Sequence, residues 1–345
     1  MKIAIDCRYM GKSGIGRVCE GILDNLDYKA HSYYLIGDPT KLVNYKDAEI
    51  VVDLTNPFSK KGLLSFPNGL NKICDCIIIP NFIIPFGVKI PVYSIIHDLI
   101  FLDLPEITTK GFIDKTVKKY LLKRCVRKSV KIACVSGFTK SRCEYYYPKF
   151  ADKFYVNYIG LSKDVLNYKN NVKEKKNTII YVGNVKPHKG LKTLIDAYKM
   201  LPAGKYRLKI IGEKEGFLTG MDSSELNAAG VEFTGKLSND ELLNEIASAS
   251  FLVQPSLYEG FGLPPLEALY LGTKPIISDI PVFREIYGGL DVEYFKDSRD
   301  LLCVIQRLKT KVTSDTNFAI KYSYKFFVKK LNSEISDSFK NFNNK

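Results

Sequence analysis

Two glutamates eight positions apart, Glu259 and Glu267, bracket Gly260, Phe261, Gly262, Leu263, Pro264, Pro265 and Leu266 in the segment SLYEGFGLPPLE. A buried-type strand pattern, FLVQPS, leads into this segment and a helical pattern, LEALYLG, leads out of it. Glycine at 260 and 262 lets the backbone pass close to a ligand with no side chain between. Proline suits the first turn of a helix, where amide hydrogens have no intrahelical partner. The spacing predicts a strand-to-helix turn, with Glu259 ending the strand and Glu267 in the first helical turn. Both carboxylates would then accept from sugar or ribose hydroxyls. The open amides and the positive dipole end of the helix would form an anion site suited to a diphosphate. A plain structural turn would explain Glu267 alone, but not the second glutamate or both glycines.

Three further constellations are weaker when each stands alone. In YVGNVKPHKGLKTL a strand ends at Gly183, a polar loop containing Asn184 follows, and a helix begins near Gly190 with Lys189 at its start. A lysine beside a helix N-terminus is a point charge for phosphate. It would stabilise negative charge building on a leaving nucleoside diphosphate. In VYSIIHD, His97 and Asp98 end a strand and offer a donor with an orienting carboxylate, although such a pair is more often structural. The run Gly11 to Gly16, GKSGIG, resembles a nucleotide-type turn but lacks the full G-x-G-x-x-G spacing and a suitably placed acidic partner. There is no Walker A lysine motif, no G-x-S-x-G elbow and no Asp-x-Asp metal-diphosphate motif. The three histidines and eight scattered cysteines show no zinc spacing, so no metal or cofactor is expected and the thiols are expected to be reduced.

The elements that must position these residues alternate short apolar strands with longer helical patterns. Strand candidates are KIAID, YYLIG, IVVDL, CIIIP, VYSIIHD, KIACVS and KFYVNYI, then TIIYVG, YRLKIIG, VEFTG, FLVQPS and KPIISD. Such alternation argues for α/β layering, with parallel sheets covered by helices on both faces. Between the two sets lies a polar, Lys- and Asn-rich stretch without periodicity. The 345 residues therefore read as a doubly wound domain over 1–162, a linker over 163–177, a second doubly wound domain over 178–312, and a helical tail over 313–345. The polar end of that tail, SFKNFNNK, is expected to fray. Ligands of doubly wound sheets bind at the carboxyl ends of strands, so two such domains facing each other would form a cleft.

The net charge is +14, which favours phosphate-bearing partners in general. It is densest over 110–131, where Phe112, Ile113, Val117, Leu121, Leu122, Cys125 and Val126 recur at helical spacing with Lys and Arg between them. Two readings stand: a packed helix with a solvated basic face, or a surface helix docking on anionic lipid headgroups. Nucleic acid is not an expected partner, because no recognition motif accompanies the charge. The N-terminal stretch MKIAIDCRYM reads as a strand rather than a signal peptide, and no apolar run reaches the roughly 18 residues that span a bilayer. The expectation is a cytoplasmic protein.

Together these residues resemble the retaining glycosyltransferases of family four, over nearly the whole chain. The most specific match is the E-x(7)-E pattern of Glu259 and Glu267. The resemblance implies a GT-B fold, two Rossmann-like domains facing across a cleft, with the tail packing back on the first. It implies that Glu259 contacts the transferred sugar, Glu267 the ribose, and the amides of Gly260, Phe261, Gly262 and Leu263 the sugar and diphosphate. Lys189 matches the family's phosphate-binding lysine, with Gly183 and Asn184 in the same donor-binding loop. His97 matches a histidine that hydrogen-bonds the transferred sugar, and Gly14 and Gly16 match a glycine loop near the diphosphate and acceptor. VSGFTKS and SDIPVFREIYGG also look like family signatures. Many members carry Arg where this chain has Asn184, so the diphosphate would depend more on Lys189, with Lys186 as a compensating cation. The loop is similar to that of bacterial mannosyl- and rhamnosyltransferases of surface polysaccharides. The implied reaction moves a hexose, with a lean to mannose from GDP-mannose, to a hydroxyl of a glycan or lipid-linked glycan, without metal and with retention. The enzyme would then be held peripherally at the inner membrane face. A GT-B sugar-nucleotide epimerase and a catalytically silent GT-B subunit are the alternatives.

Overall fold

The computed structural model describes residues 1–11, 13–108, 111–169, 172, 174–213, 230–309 and 316–343. Among them the chain forms two compact units, Met1–Ser162 with Lys321–Lys345, and Lys163–Ile320.

The first unit holds seven parallel strands: β1 (Lys2–Asp6), β2 (Ser32–Gly37), β3 (Glu49–Val52), β4 (Cys76–Ile79), β5 (Val92–Ile96), β6 (Ser129–Cys134) and β7 (Phe154–Val156). Their order across the sheet is β3-β2-β1-β4-β5-β6-β7. The second unit holds six: β8 (Lys176–Val182), β9 (Arg207–Ile211), β10 (Val231–Gly235), β11 (Ala249–Gln254), β12 (Lys274–Ser278) and β13 (Glu293–Phe295). They are also all parallel, in the order β10-β9-β8-β11-β12-β13. The central strands β4, β5 and β11 are buried along their whole length, as mainly apolar strands are when helices cover both faces. In each sheet the strand order reverses between two neighbours, β1 and β4 in the first and β8 and β11 in the second. Loops diverge there and leave a crevice at the carboxyl ends.

The expected strands are present, and β13 is an addition: EYF is too short to stand out as a pattern. The stretch expected to be an unstructured linker contains a short helix, Lys163–Asn167, and β8 already begins at Lys176. The chain returns to the first unit at Lys321. Leu161 pairs with Ser323 there, Asn157 Nδ2 donates to Phe327 O at 3.1 Å, and the helix Tyr324–Asn343 follows. Gly21, in the first helix (Ser13–Leu23), makes room for it, since a Cβ at Gly21 would lie 2.4 Å from the Tyr324 ring. The polar end expected to fray is helical as far as Asn343. Among the described residues no helix is long and apolar enough to cross a membrane. All eight cysteines are unbridged and seven of them are buried.

Candidate functional site

The second unit gathers most of the residues singled out in the sequence at its switch point. Lys189 lies in a single 3-10 turn, Pro187–Lys189, after β8 and before the helix Leu191–Lys199. Glu259 lies in the loop after β11, five residues past its last strand residue, Gln254. Seventy positions apart in sequence, the two meet: Lys189 Nζ donates to Glu259 Oε1 at 2.7 Å, with side chains 22% and 11% exposed. Leu257 N, donating to His188 O at 2.8 Å, ties the two loops together through their backbones.

Glu259 is held from behind by a chain of hydroxyls. Ser256 Oγ donates to Glu259 Oε1 at 2.7 Å, and Gln254 Nε2 donates to Ser256 Oγ at 3.0 Å. Ser278 Oγ donates to Ser256 O at 2.5 Å and so fixes the strand end itself. Ser256, Gln254 and Ser278 are all buried, so the carboxylate is anchored to the end of β11 rather than carried on a free loop. Sequence reasoning assigned none of the three a role. Their signal was weak, since only the placement of Ser256 three residues before Glu259 was visible.

Two glycines shape the loops around Lys189 by necessity. Gly190 has φ +63°, and a Cβ there would stand 1.9 Å from Pro255 O. It is the residue that lets the Lys189 turn lie against the end of β11. Gly183 has φ +147°, and a Cβ on its neighbour Gly212 would reach 2.2 Å from Gly183 O, so the loops after β8 and β9 pack backbone on backbone. Asn184 is partly exposed and its carbonyl accepts from the Tyr181 hydroxyl at 3.1 Å. Burial, with Lys189 beside it, pushes the His188 imidazole down to about 4, so this ring is neutral at pH 7.

The residues match the model of glycosyl transferases group 1 over positions 162–301. That match falls almost wholly within the second unit. The chain is similar to the O-antigen chain mannosyltransferase RfbU of Salmonella typhimurium, 29% identical over 236 residues, which cover 66% of this chain and 65% of that one. It is 33% identical to the serotype-specific mannosyltransferase WbdA of Escherichia coli over 141 residues, 38% of this chain and 17% of the relative. The chain thus spans just under two thirds of the first relative and a small part of the second. Among solved structures, Anabaena Alr3699/HepE in complex with UDP and glucose superposes with a TM-score of 0.67 at 18% identity, covering 99% of this chain and all of the other. The fold is GT-B, and the chain resembles surface-polysaccharide mannosyltransferases.

Within the matched segment three expectations shift. Glu259 does not end the strand, and Glu267 is the fifth residue of the helix Leu263–Tyr270, one turn further in than expected, and 4% exposed. The start of that helix is also a poorer amide cradle than expected. Its first three residues are Leu263, Pro264 and Pro265, and two of them carry no N–H. Gly262, at φ +88°, precedes them and its carbonyl accepts from the Tyr287 hydroxyl. Gly260 and Phe261 are buried, so Phe261 is a core side chain that offers a ligand only its backbone. The helix Leu191–Lys199, which opens on Leu191, Lys192 and Thr193 beside Lys189, has no proline in its first turn, although the Thr193 amide already donates to Gly190 O at 3.0 Å.

The remaining candidates belong to the first unit. His97 and Asp98 follow β5 rather than ending it. His97 Nε2–H donates to Pro80 O at 2.9 Å, and burial holds the imidazole below its ordinary pKa, which leaves a neutral ring with Nδ1 as acceptor. Gly14 and Gly16 are not in a loop: both lie in the first turns of the helix Ser13–Leu23, while Lys12 is outside the described residues. A Cβ at Gly16 would meet Tyr9 O at 2.8 Å, so Gly16 is required by packing against the backbone after β1. A Cβ at Gly14 would meet nothing within 4 Å, which leaves that backbone open.

A buried cation that sequence reading missed sits nearby. Arg8 donates to Asp6 at 2.7 and 2.9 Å and to Asp53 Oδ2 at 3.1 Å. It also donates to the carbonyls of Gly62 and Ser65 at 3.2 and 3.3 Å. The five-donor fork of guanidinium suits this many acceptors. Its effect is to pin the loop after β3 to the end of β1. Asp6 is two residues away, but the other acceptors lie 45 or more residues along the chain, so the cluster leaves no local pattern.

Proposed function

We propose that this protein is a retaining hexosyltransferase. It moves a sugar from a nucleoside diphosphate to a hydroxyl of a glycan or lipid-linked glycan, on the cytoplasmic side of the membrane, in surface-polysaccharide synthesis. The observation that carries the reading is the Lys189–Glu259 pair at 2.7 Å, set beside glycine-shaped turns at the carboxyl ends of β8 and β11. In this reading the cation serves the diphosphate and the carboxylate accepts from sugar hydroxyls. Glu267, eight residues on and inside the helix Leu263–Tyr270, is the candidate for the ribose, and neutral His97 for a hydroxyl of the transferred sugar. When the donor arrives, Lys189 exchanges Glu259 for phosphate oxygens, and the freed carboxylate accepts from the sugar.

In the transfer step the bond from the anomeric carbon to the diphosphate oxygen breaks and the bond to the acceptor oxygen forms on the same face. The acceptor proton passes to the departing phosphate oxygen. Lys189 supports the charge that develops there, and no metal is called for in this scheme. Mannose, carried by GDP, is the favoured donor sugar because RfbU and WbdA are named mannosyltransferases.

A thermal-shift screen against nucleoside diphosphates and their sugars tests the donor, since a preferred ligand raises the melting temperature by mass action. Product analysis by NMR then reads the anomeric configuration. Lys189→Ala is expected to cut turnover by about 100-fold, the scale of losing one charge-stabilising group in a transition state. Turnover within a few-fold of wild type would remove Lys189 from the mechanism, and an inverted product would end the retaining reading.

A further inference from the structure

The segment from His97 to Asp103 is gripped at both ends by one helix. That helix, Gly137–Tyr146, follows β6, and Ser136 caps it by accepting from Thr139 N at 3.0 Å. Thr139, Arg142 and Tyr146 recur at intervals of three and four residues and so lie along one stripe. At the near end of the stripe, Thr139 Oγ1 donates to His97 O at 3.3 Å. Further along, Arg142 takes the Asp103 carboxylate in its fork. Nε donates to Oδ1 and Oδ2 at 3.1 and 3.0 Å, and Nη2 to Oδ1 at 2.5 Å. The Tyr146 hydroxyl adds a donation to Asp103 Oδ1 at 2.7 Å.

The chain between these two grips cannot hold its own shape. It is a single helical turn, Ile100–Asp103, begun by Asp98 Oδ1 accepting from Ile100 N at 3.2 Å, and it buries only Phe101. An isolated turn is unstable in water, because nucleation fixes several dihedrals for one hydrogen bond. Arg142 is in turn held by its neighbours, with the Tyr145 and Tyr146 ring centroids 4.6 and 5.2 Å from its guanidinium carbon. The Asp103 side chain is 11% exposed and that of Arg142 29%, so most of the pair is out of water. A forked pair in that setting fixes direction as well as distance. The bond from His97 Nε2–H to Pro80 O sets the rotation of the ring, and the position of the ring follows the backbone that carries it.

We infer that Thr139 and Arg142 are positioning residues for His97: one face of the helix Gly137–Tyr146 holds the imidazole where a hydroxyl of the transferred sugar meets its Nδ1. This rests on the role proposed above for His97 and adds the residues that keep it in place. Neither acts on the donor directly in this scheme. An ion pair that only stabilised the fold would lower the melting temperature and leave the imidazole as it was.

The chain has three histidines, so the ring nitrogens of 15N-histidine-labelled protein are assigned by comparison with His97→Ala. At neutral pH the wild-type His97 ring is expected to show a protonated Nε2 and a bare Nδ1. In Thr139→Val and in Arg142→Gln the two signals should move toward each other as the ring samples both tautomers. Thr139→Ser keeps the hydroxyl and should restore the wild-type spectrum. Turnover with GDP-mannose should fall by about tenfold in the valine and glutamine variants, inside the roughly hundredfold that a misplacement of about 1 Å can cost. Affinity for GDP should not change, because GDP carries no sugar for His97. Adding Arg142→Gln to His97→Ala should cost nothing further, since the residue it positions is already gone. Should Arg142→Gln melt early, Thr139→Val and Thr139→Ser carry both readouts. Unchanged ring signals in the two variants, or losses that add in the double variant, would overturn the inference. Wild-type turnover by His97→Ala would instead remove His97 from sugar contact, a separate failure that the ring signals do not share.

Discussion

Replacing Gly190 by alanine is expected to be among the costliest single-methyl additions in the second unit. Two terms contribute. The residue has φ +63°, and holding a side-chain-bearing residue there costs about 1–2 kcal/mol. The new Cβ would also begin 1.9 Å from Pro255 O, when real Cβ contacts essentially never fall under 3.0 Å. Relief requires a displacement of 3.0 − 1.9 = 1.1 Å at least. Pro255 follows the fully buried β11 and precedes Ser256, so the movement spreads into a packed strand end, at about 1–3 kcal/mol. The sum, about 2–5 kcal/mol, corresponds to a fall in melting temperature of roughly 5–15 °C for a unit of this size. Gly204 supplies the control. Its φ is +76°, but a Cβ there meets nothing within 4 Å, so Gly204→Ala bears the backbone term alone. Calorimetry on the two variants and wild type isolates the clash as their difference. Equal losses in Gly190→Ala and Gly204→Ala would refute the close approach of the Lys189 turn to β11. The same variant should lose activity beyond its loss of stability, because Lys189 precedes the displaced residue.

Ser256→Ala removes a buried donor from Glu259 and is expected to lower kcat by about tenfold, the worth of one hydrogen bond to a charged group, with donor KM little changed. Steady-state kinetics with unchanged kcat would show that the hydroxyl does not position the carboxylate. The His188 imidazole, held at about 4 in the folded chain against an ordinary value near 6.5, binds its proton more readily when unfolded. Stability should therefore be full above pH 6.5 and fall as pH drops toward 4, and His188→Asn should flatten that part of a denaturation-midpoint profile. Gly14→Ala places a methyl in open space on a helical residue and should stabilise the first unit by about 0.5–1 kcal/mol. A rise in donor KM in that variant would mark Gly14 as a ligand-approach point, whereas a loss of stability would contradict its place in the helix.

Much of the site was legible because its parts are local. The continuous apolar runs that became β8 and β11, the glycines at 183 and 262 and the Lys189 turn all follow from short-range pattern and backbone sterics. Boundaries were less legible: the strand before Glu259 stops at Gln254, and the first helix already starts at Ser13, inside the run read as a glycine turn. Hydrogen bonding to neighbouring strands decides where a strand ends, and a single sequence carries no record of those neighbours. The prolines at 264 and 265 were visible from the start. Their missing amides count against an anion cradle there, and their fitness for a helix start had hidden that cost.

The sequence by itself determined the two parallel-sheet units, their alternating elements and the identity of the charged and glycine residues at strand ends. Periodicity and turn chemistry act over a few residues, so they can be read along the chain. Only the tertiary structure decided that Lys189 meets Glu259 across 70 residues, that Arg8 pairs with Asp53, and that the C-terminal helix rests on Gly21. It also decided that Phe112, Ile113 and Val117 face water while Leu121 and Leu122, in the same helix, face the core. Helical spacing states which residues share a face. Which faces are covered depends on what the rest of the chain packs against them, and that is settled only when distant segments meet.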